Sequence, residues 1–164
     1  MRGPIFRALI TYHDIGTRPT IAITNTALIQ QIEAIVGEKG LDIKDIQEIA
    51  EKLTTAQLSF TTAKASSDPN VLVSSKHANC IGYAAMYNSI ATYLIEQNGL
   101  EDEYKVQHKK GKLDFLGIDL HQFSDSPFFK DHDFNVIKNR ETQDVIAVDA
   151  TVLDYLWVGK VSLE

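Results

Sequence analysis

The period of the apolar residues changes partway along the chain, and that change constrains the fold more than any other feature. Before Gly99 the apolar residues recur at helical spacing; beyond it they alternate. Ala27, Leu28, Ile32, Ile35 and Val36 form a first helical stripe, with Thr24 or Asn25 as its cap and Gly37 or Gly40 as its stop. Asp42 caps a second, carrying Ile43, Ile46, Ile49, Ala50, Leu53 and Ala56. A third runs from Cys80 to about Asn98, with Tyr83, Ala84, Tyr87, Ala91 and Leu94 on one face and Gly99 at its end.

The alternating half reads as strands. Tyr104–His108 and Leu113–Ile118 flank Lys109-Lys110-Gly111-Lys112, which predicts a hairpin with a charged tip. His132–Ile137 and Val145–Val148 predict a second hairpin around Asn139–Thr142, and Tyr155–Val158 a last strand. Helices followed by strands predict an α+β fold: N-terminal helices, with a Cys-bearing helix packed on a C-terminal antiparallel β-sheet. The 164 residues suit a single domain over 1–164, in which 1–40 reads as an N-terminal helical extension.

Charge and composition narrow the function. Sixteen Lys plus Arg against 22 Asp plus Glu give a net charge of −6, which disfavours a nucleic-acid binder. A single cysteine excludes a disulfide within the chain and Cys-rich zinc sites. No apolar run approaches the roughly 20 residues of a membrane span. The N-terminal decapeptide lacks the pattern of a secretory signal, so a cytoplasmic location is the default expectation, with export standing if a leader has been removed.

Cys80 opens the third helix, where unpaired N–H groups and the positive end of the dipole favour a thiolate and can receive an oxyanion. A nucleophile needs a base, and the base an orienting partner. His132 starts one predicted strand and Asp149 ends the next, so antiparallel pairing places them side by side. Taken singly, each has a plainer reading: a buried apolar-like thiol, a strand histidine, a turn-capping aspartate. His108, His121, His132, Asp131 and Asp133 are rival zinc ligands, but they lack close ligand spacing, and no metal or cofactor is expected.

Asn79-Cys80-Ile81-Gly82-Tyr83-Ala84-Ala85-Met86-Tyr87 resembles the Cys-bearing helix start of the transglutaminase-like superfamily, within the papain-like cysteine-protease fold. His132-Asp133-Phe134 resembles its His-x-aromatic strand motif, and Asp149-Ala150-Thr151 its Asp-x-Thr segment, so the resemblance spans roughly Asp42 to Val158. Phe134 stands where the family usually has Trp, and Ala150 where it has Pro. NlpC-type amidases and arylamine acetyltransferases share the Cys-then-His order, but the former usually end on a second His, so Asp149 favours the transglutaminase-like branch.

The resemblance implies Cys80 as nucleophile, His132 as base and acid, and Asp149 as orienting residue. It implies a thiol enzyme that works through a thioester on amide or peptide bonds, with hydrolysis (a cysteine peptidase or amidase) ahead of transfer to an amine. A protein or peptide substrate follows, with no nucleic acid, membrane or cofactor. Asn79, His77 and Gln57 are oxyanion-hole candidates; Phe128, Phe129 and Phe134 are substrate-cleft candidates. The alternative is a catalytically inactive binding or structural module of the same fold.

Overall fold

The structure is a computed structural model, described over residues 10–37, 40–115, 118–119, 132–151 and 160–163. It is α+β, with four helices and a largely antiparallel sheet among these residues. The three longer helices start where the sequence predicts, and a short fourth, Pro69–Ser75, is not among those it predicts. In α1 (Thr26–Val36), the Asn25 side chain accepts from the N–H groups of Ala27 and Leu28, and Gly37 ends the helix at φ 61°. In α2 (Ile43–Gln57), Asp42 and Asp45 form a reciprocal capping box. Asp68 caps the short α3 (Pro69–Ser75), and Asn79 caps α4 (Cys80–Gln97).

The strands are β1 (Ile10–Arg18), β2 (Ser59–Phe60), β3 (His77–Ala78), β4 (Tyr104–Phe115), β5 (Ile118–Asp119), β6 (His132–Asn139), β7 (Val145–Val148) and β8 (Lys160–Leu163). β2 and β3 form a small parallel pair. The others order as β1-β8-β7-β6-β4-β5, and β1 also pairs with β4. The pairings therefore form a closed circuit through β1, β8, β7, β6 and β4, antiparallel except at β1–β8. Each strand of the circuit thus has a partner on both sides, which limits the exposed edge that is the usual liability of a sheet, while β5 pairs with β4 outside the circuit.

Three sequence expectations change. Residues 10–18 form a strand within the sheet, so the N-terminal segment is not helical throughout and the helices do not all precede the strands. The anticipated hairpin at Lys109–Lys112 is instead the middle of one 12-residue strand. That strand pairs on both sides: Lys109, Lys110 and Gly111 face Phe134, Asp133 and His132 of β6, and also Thr17, Gly16 and Asp14 of β1. The lysine charge is met by neighbours, since Lys109 Nζ lies 2.7 Å from Asp14 and donates to Thr17 Oγ1 at 3.1 Å. Gly111 serves packing, not a turn: a Cβ there would lie 2.5 Å from Phe134 Cε1 and 3.0 Å from the His13 carbonyl. The expected strand Tyr155–Val158 lies outside the described residues, and the last described strand is β8.

α4 is the central element. Tyr83, Met86, Tyr87, Ile90, Ala91 and Leu94 are buried on it against Leu28 and Ile32 of α1 and Ile46, Ala50 and Leu53 of α2. Val106, Ile137 and Val148 of the sheet complete the same core. The β6–β7 hairpin forms in the expected place, pairing Asn135 with Val148 and Lys138 with Val145.

Candidate active site

Cys80 is the first residue of α4, so the cap that starts the helix also places the thiol. Asn79 Oδ1 accepts from Gly82 N–H at 3.3 Å, and the Asn79 carbonyl accepts from Tyr83 N–H at 3.0 Å. Gly82 lets this first turn sit against its support, because a Cβ would lie 2.7 Å from Ala78 Cβ and 3.1 Å from the Ser66 carbonyl. In this first turn, the N–H groups of Cys80 and Ile81 have no partner within the helix.

His132 opens β6 and Asp149 follows the last residue of β7. Antiparallel pairing brings them together: His132 Nε2 lies 2.5 Å from Asp149 Oδ2, and both are buried. The Cys80 side chain lies close enough to the same imidazole to contribute to its electrostatics. Thr151 N–H donates to Asp149 Oδ1 at 2.9 Å. Burial by itself would push His132 towards the neutral form, but the charge of Asp149 and the bond to it outweigh that. With smaller contributions from Cys80, they raise its pKa from 6.5 to about 10. The direction of that shift favours the protonated imidazole beside Asp149 and Cys80.

Two groups at the site were not foreseen in the sequence. The Tyr12 hydroxyl donates to Asp149 Oδ2 at 2.5 Å, from 137 residues away. A second buried cluster lies on the other side of β6, where Asp133 accepts from His108 Nε2 at 2.6 Å and from Arg18 Nε at 2.5 Å and Nη2 at 3.2 Å. Burial would raise the Asp133 carboxyl, but the bonds and charges of His108 and Arg18 prevail and hold it below its ordinary value.

A β-bulge explains how one strand serves both clusters. Between Asp14, which pairs with Gly111, and Gly16, which pairs with Lys110, β1 carries one extra residue. That residue reverses the alternation, so Tyr12 reaches the His132 face and Arg18 the Asp133 face. No local pattern marks the bulge. Its only sequence trace is a glycine among alternating residues.

The remaining expected site residues take other places. Asn79 spends its side-chain oxygen on the helix cap, His77 is exposed on β3, and Gln57 donates to Gln31 of α1. None of the three is shown next to the thiol. Phe134 is fully buried with its ring centroid 4.9 Å from that of Tyr12, which makes it packing beneath the site, not a cleft wall. Phe128, Phe129, His121 and Asp131 lie outside the described residues. Among the described residues no group of three His, Cys, Asp or Glu side chains could hold a metal ion. Among the same residues no helix is long and apolar enough to cross a membrane.

No family model matches the chain, and no curated protein or solved structure matches it.

Proposed function

We propose that Cys80, His132 and Asp149 form the catalytic triad of a thiol enzyme of the transglutaminase-like type, acting on amide or peptide bonds. One observation carries the reading: a buried imidazole bonded by Nε2 to Asp149 also feels the side chain of a cysteine at a helix N-terminus. The chemistry follows from those positions. The Cys80 thiolate attacks the carbonyl carbon, and the oxyanion forms next to the N–H groups of Cys80 and Ile81. The protonated His132 gives its proton to the leaving amine, and a thioester remains. Water then attacks the thioester, His132 takes its proton, and the thiolate leaves as the acid is released. An amine in place of water completes transfer; hydrolysis is the reading adopted here, for a peptide or protein substrate.

A catalytically inactive binding or structural module is the second reading. The burial of Cys80, 6% exposed, favours it, because a nucleophile must meet its substrate. The rate of iodoacetamide labelling between pH 5 and 9, in wild type and His132→Ala, decides between them. Labelling at pH 6 that falls about tenfold or more on losing His132 supports the enzyme. A slow thiol, equally slow in both proteins, overturns it in favour of the module.

A further inference from the structure

β1 enters the site from the far end of the chain. Tyr12 is fully buried, and its hydroxyl donates to the same Asp149 oxygen that His132 Nε2 bonds. Asp149 Oδ1 accepts from Thr151 N–H. The carboxylate thus has donors on both oxygens, and the plane it presents to the imidazole is set by groups from two separate parts of the chain. A carboxylate held by one imidazole alone turns easily about its last side-chain bond, where the torsional wells are broad. The Tyr12 ring is itself wedged, with its centroid 5.9 Å from that of His132 and 4.9 Å from that of Phe134.

We propose that Tyr12 is a positioning residue of the thiol site: its hydroxyl holds Asp149 in the orientation that aims His132 at Cys80, which makes β1 part of the site's machinery. This rests on the reading of Cys80, His132 and Asp149 as a catalytic triad. Burial, followed by the neighbouring Asp149 charge, keeps the phenol protonated well beyond its ordinary range, so it remains a donor throughout the pH range of the folded protein. Tyr12 lies outside the segment that carries the three motifs, so no motif announces it.

The test is Tyr12→Phe, which keeps the ring and removes the hydroxyl. The sign of its effect follows from charge. Tyr12 stabilises Asp149 most when His132 has lost its proton and the carboxylate is uncompensated, so losing the hydroxyl makes that proton harder to remove. The His132 midpoint, followed by NMR of the imidazole, should rise by about half a unit or more. Iodoacetamide labelling of Cys80 at pH 7 should slow by about tenfold as the imidazole loses its alignment.

Site-specific 3-fluorotyrosine at position 12 supplies a second measurement that does not depend on the variant folding well. Its more acidic phenol is a stronger donor, so the His132 midpoint should fall. A Tyr12→Phe protein that loses stability while its His132 midpoint and labelling rate stay at wild-type values overturns the proposal and leaves a structural hydroxyl. So does an unmoved midpoint with fluorotyrosine. If labelling is instead insensitive to His132→Ala in the wild-type background, the triad reading itself fails, and the proposal with it.

Discussion

Gly111→Ala tests the least expected feature of the fold, the passage of Lys-Lys-Gly-Lys through the middle of a strand. In a strand interior Ala is ordinarily the better residue, by roughly 0.5–1 kcal/mol. Here the added methyl would stand 2.5 Å from Phe134 Cε1 and 3.0 Å from the His13 carbonyl oxygen. Neither neighbour is the free end of a flexible chain, since the ring is buried between strands and the carbonyl belongs to β1. Overpacking of this kind costs ~1–3 kcal/mol, which exceeds the propensity gain and leaves a net loss of ~1–2 kcal/mol. With a urea m-value of ~2 kcal/mol/M, the midpoint should fall by ~0.5–1 M with the slope unchanged.

Phe134→Leu supplies the control. Alone it loses part of a buried ring and destabilises by ~1–2 kcal/mol. Combined with Gly111→Ala it makes room for the methyl, so the double variant should lose less than the two single losses added together, by at least ~0.5 kcal/mol. Strict additivity, or a Gly111→Ala protein as stable as wild type, would refute the close approach of β4 to Phe134.

The other predictions concern charge and caps. Because His132 is raised from 6.5 to about 10, its protonation stabilises the fold fully below pH 6.5, and that contribution disappears as the pH climbs towards 10. Urea curves should show the stability gap between wild type and His132→Gln narrowing by a few kcal/mol across that window, and a constant gap would contradict the pairing with Asp149. Asp133 behaves oppositely: its carboxyl is held low, so its contribution is present above about pH 4 and is lost as acid protonates it. Arg18→Met should cost ~3 kcal/mol at pH 7 and move acid unfolding to higher pH, as measured by circular dichroism. Asn79→Ala removes the cap of the Cys-bearing helix and should cost ~1 kcal/mol in urea unfolding; a neutral result would mean that water serves Gly82 N–H equally well.

How legible each part was depends on how far its cause lies along the chain. The helix starts at Asn25 and Asp42 were readable because each cap binds N–H groups two or three residues away. The β6–β7 hairpin was readable for the same reason: alternation and a short turn predict that His132 and Asp149 meet across it. Tyr12 was not readable, because nothing near it in sequence records a carboxylate 137 residues on. Lys109–Lys112 misled because Lys-Lys-Gly-Lys is turn chemistry until β1 is laid beside it, with Asp14 and Thr17 to receive Lys109.

The sequence by itself determined the α+β class, the extents of the three longer helices and the order Cys80, His132, Asp149, since period, caps and turns are short-range properties of the chain. Tertiary structure alone decided that β1 closes the circuit of strands, that a bulge sends Tyr12 and Arg18 to opposite faces, and that Phe134 is packing beneath the site. Those outcomes depend on which strands lie side by side and in what register. Pairing between β1 and β4 joins residues nearly a hundred positions apart, and only burial of the shared core selects it.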